Sequence, residues 1–311
     1  APDGQIDAGS TWASVSAYGG DDVPFNLGIS SYGCGIKNGS PWCWGTAAYY
    51  LSLTDATSAV PGTVGNTDWT KVSSSSTHSC GLQNGAPRCW GDNADGGLGD
   101  DSTVPSNTPV IPTGTDTDTN WSTVSAGSGF SCGIKSGSLW CWGRGDEGQL
   151  GLGEPISYGT PQEAGAFTGT MWSTVSAGHT HACGIQAGDL YCWGDNTFGQ
   201  LGDGSTFPSI FIPAMPTIMG TSFTSVAAGR EHTCAIDTVG NLLCTGDNNF
   251  GELGDGTLNP SANFIAVGTG QAPWSQVAVG RDATCGIAGG IPYCWGANAF
   301  GGLGNGTIND S

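Results

Sequence analysis

Six pairs of cysteines recur along this 311-residue chain at an almost constant interval. The two cysteines of a pair stand nine positions apart, except in the fifth pair, where they stand ten apart. First cysteines follow one another at 46, 52, 51, 51 and 51 residues, a period typical of propeller blades. The pairs are Cys34 and Cys43, Cys80 and Cys89, Cys132 and Cys141, Cys183 and Cys192, Cys234 and Cys244, and Cys285 and Cys294.

Each pair flanks a short turn sequence that predicts a β-hairpin. In residues 132–143, CGIKSGSLWCWG, a two-residue Ser-Gly turn pairs Lys135 with Ser138 and sets Cys132 opposite Cys141. That pair falls at a non-hydrogen-bonded position, where opposite side chains lie closest, so a disulfide forms without moving the backbone. The fifth copy has a three-residue loop ending in Gly240, which also keeps its cysteines opposed. We therefore predict one disulfide across every hairpin.

Each copy supplies two more extended segments around its hairpin. An aromatic residue opens an alternating run eleven positions before the first cysteine in copies two to six, and predicts an inner strand. After the second cysteine come Trp-Gly or Thr-Gly, a loop rich in Gly, Asn and Asp, and an outer extended segment. In the first copy Trp12 lies 22 residues before Cys34, which indicates an insertion within residues 18–30. The aromatic residues of the other copies are Trp69, Trp121, Trp172, Phe223 and Trp274.

The predicted fold is an all-β, six-bladed β-propeller of four-stranded antiparallel blades. One such sheet cannot bury both faces alone, whereas six arranged radially can. The last copy has no room for a fourth strand, so we expect residues 2–9 to complete it and close the ring. Residues 1–311 then form a single domain, with repeats at about 12–62, 69–113, 121–167, 172–215, 223–268 and 274–311 plus 2–9.

The repeat resembles that of a known propeller family. The pattern W..VSAG..H.CGI...G.LYCWG.N..GQLG.G, most complete in residues 172–204, resembles the repeats of the regulator of chromosome condensation family. The resemblance implies a β-propeller, usually of seven blades rather than the six counted here. The paired cysteines are similar to those of secreted or ectodomain relatives, such as crinkly-type plant receptor kinases. Family activities include nucleotide exchange, ultraviolet sensing and β-lactamase inhibition, so the fold does not choose a function.

Charge and cysteine content restrict the partners and the compartment. Seven Lys and Arg against 26 Asp and Glu give a net charge of −19, which opposes nucleic acid and anionic membranes. No apolar run approaches the length that spans a bilayer, so we expect no membrane insertion. Twelve cysteines, and an Ala-Pro-Asp start resembling a processed chain, predict a secreted protein that is extracellular or bound at the cell surface.

The sequence holds no catalytic, metal or cofactor motif that we assign. GRGDEG at 143–148 matches GxGxxG but precedes no helix, and its Arg-Gly-Asp admits an adhesion interpretation. The carboxylates of the Asp-rich loops could bind calcium, although Asx turns are the simpler interpretation of these aspartates. Three histidines share one register in different copies, which favours a structural role over metal ligation. They are His78, His181 and His232.

Irregularities in the repeat predict a candidate binding site on one face of the disc. The insertion and the altered loop of the first copy both fall there, and their aromatic side chains would form an apolar patch. Basic residues follow the inner strand in three successive copies and would capture an acidic group, unless Glu231 and Asp282 neutralise them locally. The candidate residues are Tyr18, Phe25, Tyr49, Tyr50, His179, Arg230 and Arg281.

The predicted function is binding without catalysis. We expect a secreted recognition propeller that engages an extracellular protein or glycan through loops on one face. Two alternatives stay open: a structural subunit of an extracellular coat or filament that assembles with copies of itself, and a propeller that inhibits an enzyme.

Overall fold

The structure, a computed structural model, describes residues 12–18, 32–45, 58–60, 67–115, 117–164, 171–218, 220–268, 273–299 and 301–311. These residues form 23 strands in six antiparallel sheets, which are the six predicted blades, numbered here in chain order. Five sheets have four strands, and the sheet of blade 6 has three. The predicted all-β, six-bladed propeller is confirmed, and the described residues contain no helix that is long and apolar enough to cross a membrane.

Every blade runs from an inner strand through a hairpin, and blades 1 to 5 continue to an outer strand among the described residues. The inner strands are β1 (Trp12–Tyr18), β5 (Trp69–Ser74), β9 (Trp121–Ala126), β13 (Trp172–Ala177), β17 (Phe223–Ala228) and β21 (Trp274–Val279). The first hairpin strands are β2 (Tyr32–Lys37), β6 (His78–Gln83), β10 (Phe130–Lys135), β14 (His181–Gln186), β18 (His232–Asp237) and β22 (Ala283–Ala288). The second are β3 (Ser40–Gly45), β7 (Ala86–Gly91), β11 (Ser138–Gly143), β15 (Asp189–Asp195), β19 (Leu242–Gly246) and β23 (Ile291–Gly296). The outer strands are β4 (Ser58–Ala59), β8 (Ser106–Val110), β12 (Tyr158–Ala164), β16 (Ser209–Ala214) and β20 (Ser261–Ala266).

The hairpins have the predicted register and disulfides. Lys135 pairs with Ser138 and Cys132 with Cys141, as the turn chemistry requires. Ser136 and Gly137 both adopt positive φ, at 50° and 85°, the conformation of a type I′ turn. All twelve cysteines form the six predicted disulfides, each with Cα atoms 4.1 Å apart.

Consecutive blades pack with two different faces against each other at five seams. One, the disulfide face, carries the two cysteines and an Ile or Leu beside the first of them. The other, the tryptophan face, carries the aromatic residue and the Val of the inner strand, with the Trp after the second cysteine in five of the blades. The disulfide face of blade 2 packs on Trp121, Val124 and Trp142 of blade 3. The rings of Trp121 and Trp142 meet edge to face at 6.1 Å, a favoured aromatic geometry.

Serine hydroxyls join the inner strands across four of these seams. The Oγ atom of Ser125 in blade 3 accepts a hydrogen bond of 2.9 Å from the backbone N–H of Ala177 in blade 4. Ser16, Ser73 and Ser176 accept equivalent bonds of 2.9 to 3.0 Å from the next blade. Blades 5 and 6 have Ala227 and Ala278 at this register and so lack the acceptor.

The three register-matched histidines also lie in seams. Each is buried, at 0 to 1% exposure, and its Nε2 atom forms a hydrogen bond with a hydroxyl of the next blade. Ser131 Oγ donates onward to the carbonyl of Gly97, so it accepts from the Nε2–H of His78. The structural role predicted for the histidines is therefore the one they have. The pairs are His78 with Ser131 at 2.7 Å, His181 with Thr233 at 2.8 Å, and His232 with Thr284 at 2.9 Å.

In blade 6, the described residues reach Ser311, which stands at the register where the outer strand begins in blade 3. The backbones of Gly296 and Ser311 exchange two hydrogen bonds, of 2.7 and 3.1 Å. Gly143 and Tyr158 pair at the same register in blade 3, where Tyr158 opens the outer strand. The closing strand predicted at residues 2–9 lies outside the described residues and stays a prediction.

Candidate functional site

Two sets of loops share one face of the propeller, as the repeat predicts. The loops that follow the inner strands lie beside the loops that follow the hairpins, because backbone bonds of 2.9 Å connect them within a blade. Asp195 N–H donates to Thr180 O in blade 4, and Asp247 N–H donates to Glu231 O in blade 5. We call this side of the disc the loop face; the hairpin turns mark the opposite face.

The inner strands of all six blades surround a central cavity of about 240 Å³. Its lining consists of Ser, Ala, Gly and Val residues. Four of the serine hydroxyls already accept the backbone bonds of the blade seams. Among the described residues, no titratable side chain lines this cavity.

The three predicted basic residues lie at the mouth of this cavity, whose lining includes the glycine before each of them. That glycine is the first residue after the inner strand, and backbone bonds pass from blade to blade at this point. His179 N–H donates to Gly229 O at 2.9 Å, and Arg230 N–H donates to Gly280 O at 3.3 Å. Arg230 and Arg281 each follow the inner strand of their blade by two residues, in adjacent blades, and their role in binding stays a prediction.

Each of these arginines lies beside an acidic neighbour. Arg230 Nε is 3.4 Å from Oε1 of Glu231, and Arg281 Nε is 3.2 Å from Oδ2 of Asp282. Burial raises the pKa of Glu231 above its ordinary value, although Arg230 opposes that shift. The acidic residues Glu231 and Asp282 thus lie close enough to neutralise the two arginines, which is the alternative that the sequence left open. Their presence weakens the case for an acidic partner at these arginines.

The predicted aromatic patch falls largely outside the described residues. Tyr18 ends β1 and pairs in register with Tyr32, but its side chain is not described. Phe25, Tyr49 and Tyr50 lie wholly outside the described residues. Their proposed clustering with one another remains a prediction.

The loop face carries a set of exposed apolar residues that sequence reasoning missed. One stands two or three residues before the outer-strand register in each of the last five blades, at the outer margin of the loop face, because outer strands begin at that end of the sheet. Their exposure, 46 to 74%, is high for large apolar side chains. We call them the rim residues: Val104, Ile156, Phe207, Leu258 and Ile308.

Buried asparagines hold these loops in shape. Asn196 in blade 4 is 0% exposed; its Oδ1 accepts the backbone N–H of Leu201, and its Nδ2 donates to Asp203 and to the carbonyl of Ser205. Asp203 in turn accepts the N–H of Ser205 at 2.9 Å, which is an Asx turn. The same bonds recur around Asn93, Asn248 and Asn298. Among the described residues no carboxylate and histidine cluster suits a metal ion, and the loop aspartates serve as turn acceptors.

The Arg-Gly-Asp segment of blade 3 is folded back on itself. Arg144 donates two hydrogen bonds to the carboxylate of Asp146, of 2.7 and 2.9 Å. Burial raises the pKa of Asp146, but the bonds from Arg144 and Gln149 outweigh this effect and hold the pKa below its ordinary value. A partner that binds the Arg144 and Asp146 side chains separately would first have to break the ion pair between them.

One buried carboxyl group on the loop face departs from the repeat. Gln149 and Gln200 each accept a backbone N–H and donate to Asp146 and Asp195 respectively. Glu252 has the same register in blade 5 and accepts the N–H of Phe250 at 2.9 Å, but an ionised carboxylate has no hydrogen to donate. Burial, with the nearby charges of Asp247 and Asp282, raises the pKa of Glu252 to about 7.

Fold and site together define a repeat propeller with two sets of loops on one face. A family model described as the regulator of chromosome condensation (RCC1) repeat matches residues 136–185 and 187–236, and a second RCC1 repeat model matches residues 223–252. The chain is a β-propeller that contains RCC1-like repeats.

Relatives with known names support this assignment. The Protein RCC2 homolog of Xenopus laevis is 34% identical over 131 residues, which cover 42% of this chain and 25% of that protein. The crystal structure of human WBSCR16 is similar with a TM-score of 0.81 and 18% identity, over 98% of this chain and 81% of that chain. Prp20p from Saccharomyces cerevisiae gives a TM-score of 0.76 and 19% identity, over 91% and 74% of the two chains. The chain thus matches about a quarter of the length of its curated relative, and the solved structures show the fold alone.

Proposed function

We propose that this propeller is a secreted, non-enzymatic binding module that engages an extracellular protein through its loop face. The observation that supports the proposal best is the set of rim residues. Five large apolar side chains stand exposed just before the outer-strand register, and in four of these loops, all except that of Ile156, a buried asparagine fixes the backbone. Apolar side chains held on rigid loops are typical anchors for a protein partner.

Protein binding agrees with what is known of structural relatives. The Prp20p structure is described together with binding properties to Gsp1p and histones, which are proteins. That likeness supports the kind of function and does not select a partner for this chain. A glycan partner is less well supported, because the described part of the loop face presents isolated aliphatic side chains more often than aromatic platforms.

The secreted location is supported by the disulfides. All twelve cysteines are paired, and ten of them are buried at 0 to 1% exposure inside blade seams. Disulfides of this kind persist in oxidising compartments and are rare in the cytosol. A reducing compartment would leave six pairs of thiols in their place, five of them buried.

The non-enzymatic role is supported by the central cavity. Catalysis needs acid, base or nucleophilic side chains that converge on a substrate. Among the described residues, the cavity lining supplies serine hydroxyls but no acid or base to activate them. Three of the four histidines, which would be candidate bases, are buried in the seams and bound to hydroxyl groups, and only His179 lies near the cavity.

The proposal can be tested by capture with matched variants. The loop-face variant Phe207→Ser with Leu258→Ser removes two rim residues that are 74 and 64% exposed. The control Met171→Ser with Val239→Ser removes two residues of similar exposure, 69 and 73%, from blades 4 and 5 at the opposite face. Each immobilised protein would be incubated with extracellular medium of its natural source, before and after protease treatment.

We expect the wild type and the control variant to retain the same protein species, and the loop-face variant to lose it. Equal retention by both variants would contradict the use of this face. Retention that survives protease but not glycosidase treatment would replace the protein partner with a glycan. A third variant, Arg230→Ala with Arg281→Ala, measures whether the arginines at the cavity mouth contribute despite their acidic neighbours.

A further inference from the structure

The outer strand of blade 4 departs from the other outer strands at two adjacent positions. In blades 2 to 5, one outer-strand residue pairs with the Gly two positions after the second cysteine, and this register aligns the four strands. Blade 4 places Phe211 and Ile212 directly after it, with exposures of 37 and 56%. The other three blades have small or polar residues there, so the fold does not require apolar side chains at these positions. These residues are Asn107 and Thr108 in blade 2, Gly159 and Thr160 in blade 3, and Ala262 and Asn263 in blade 5.

Met215, directly after β16, adds a third exposed apolar side chain, at 53%. A loop of blade 3 supports this strand. Gly153 N–H donates to the carbonyl of Phe211 at 2.8 Å, and a Cβ atom built on Gly148 would collide with the Phe211 ring. The ring therefore lies directly on this loop, which fixes its position. We call Phe211, Ile212 and Met215 the outer-wall patch, because the outer strands form the circumference of the disc.

The backbone of β16 is poorly suited to pairing with a strand of another molecule. Pro213 has no N–H to donate, and the carbonyl of Phe211 already accepts the bond from Gly153. A partner that covers the patch therefore has to bind through its side chains, with its own backbone hydrogen bonds satisfied internally. An amphipathic helix meets both conditions, because its backbone is internally bonded and its apolar face makes the contact.

Two carboxylates border the outer-wall patch. Oε2 of Glu147 accepts a hydrogen bond of 3.1 Å from a serine hydroxyl of β16, and Glu154 directly follows Gly153. The sequence has no Lys or Arg in residues 145–229, and the arginine just before this stretch is held by two bonds to Asp146. Lys or Arg side chains of a partner are therefore attracted here, whereas a second copy, with its net charge of −19, is repelled.

We propose that the outer-wall patch binds a basic amphipathic helix of a protein partner. The apolar face of the helix covers Phe211, Ile212 and Met215, and Lys or Arg side chains at its margin reach Glu147 and Glu154. This site lies on the circumference of blade 4, and none of its residues is a rim residue of the loop face. It is therefore a second binding surface, independent of the one proposed above.

A defined peptide tests the proposal on the intact protein. The probe is a labelled peptide of about 18 residues in which Leu forms one face of the helix and Lys the other, and the matched control has Glu in place of Lys. Fluorescence anisotropy measures binding at low and at moderate salt. We expect the Lys peptide to bind, with an affinity that falls as salt screens the carboxylates, and the Glu peptide not to bind.

Variants that copy other blades locate the site. Phe211→Ala with Ile212→Thr, the wall variant, introduces residues that blades 5 and 3 have at these positions, and should weaken binding of the Lys peptide about tenfold. Glu147→Gln with Glu154→Gln should weaken binding and reduce its salt dependence. The control Ile111→Thr changes a blade 2 residue, 39% exposed, at the register of the methionine in the patch, and should bind like the wild type. Circular dichroism with thermal melting checks that each variant folds.

Several results would overturn the proposal. Equal binding of the Lys peptide by the wild type and the wall variant would do so, as would binding of the Glu peptide as tight as that of the Lys peptide. Self-association of the wild type that the wall variant abolishes would make a second copy the occupant. The wall variant should still retain the protein species captured through the loop face, so either proposal can fail without the other; loss of that species would contradict a separate site.

Discussion

The buried histidines predict a steep loss of stability in mild acid. Burial lowers the pKa of His78 and His181 to about 4 and that of His232 to about 3, from an ordinary value of 6.5. The imidazoles stay neutral in the folded protein and become charged in the unfolded chain below pH 6.5. Because the unfolded state then binds more protons, the free energy of unfolding falls as the pH drops from 6.5 towards 4.

The size of this loss follows from the pKa values. At pH 5 each histidine costs about 2 kcal/mol relative to neutral pH, since roughly 1.5 pH units separate the solution from the unfolded pKa. Three histidines together cost about 6 kcal/mol, comparable with the whole stability of many domains. Above pH 7.5 the contribution vanishes, because neither state is protonated.

The chain supplies its own control for the assay. At the seam between blades 3 and 4 the histidine and hydroxyl positions hold Phe130 and Ala182, both buried. The variant His181→Phe with Thr233→Ala copies that pair into the next seam. Denaturant unfolding with intact disulfides, at pH 7.5 and at pH 5, should show similar stability at the higher pH. From pH 7.5 to pH 5, the free energy of unfolding of the variant should fall by about 2 kcal/mol less than that of the wild type.

The difference between the two proteins is the decisive quantity, because carboxylates change stability equally in both. An identical loss in wild type and variant would refute the assignment of acid sensitivity to this seam. The reverse variant, Phe130→His with Ala182→Thr, should increase the loss by a similar amount.

Three further changes have predictable outcomes. Because the pKa of Glu252 is raised in the folded state, its contribution to stability is present at low pH and is lost as the pH rises through 7. Glu252→Gln, which copies Gln200, should therefore raise the free energy of unfolding by about 2 kcal/mol at pH 8.5 and hardly at pH 4. A gain independent of pH would exclude the charge of Glu252 as its cause. Ser176→Ala removes the acceptor for the N–H of Ala228 and should lower stability by about 1 kcal/mol, with faster amide exchange at Ala228; unchanged exchange would argue against the bond. Removing residues 1–10 should lower the melting temperature markedly if residues 2–9 close blade 6, and an unchanged melting temperature would contradict that closure.

The hairpin register was predictable because it depends on residues that are close in sequence. A two-residue turn with positive φ fixes which residues face each other, and the alternation of side chains then places Cys132 opposite Cys141. The same local logic predicted that two sets of loops share a face. The number of blades followed from counting the repeats. Each repeat forms one sheet with two faces to bury, so each repeat becomes one blade packed between neighbours.

Features that depend on contacts between repeats were harder to predict. The partner of His78 lies 53 residues away in the next copy, so no local pattern joins it to Ser131. The rim residue Phe207 was missed because an apolar residue ahead of a strand suggests burial, and only the outer position of that strand exposes it. For Arg230, the sequence allowed two interpretations: an arginine available to an acidic partner, or one neutralised by Glu231. The side-chain geometry was needed to show that Glu231 lies beside it.

The bonds between histidines and hydroxyls also specify the order of the blades. A blade with His at this register precedes one with Ser or Thr, whereas blade 3, which has Phe130, precedes blade 4, which has Ala182. Placing blade 4 after blade 2 would leave His78 facing alanine, and placing blade 5 after blade 3 would leave Thr233 facing a phenylalanine ring. Recombination that brought such mismatched blades together would therefore bury unpaired polar groups. Blade 5 is the exception, because it carries both His232 and Thr233: its loss would set His181 against Thr284, and its duplication would set His232 against Thr233.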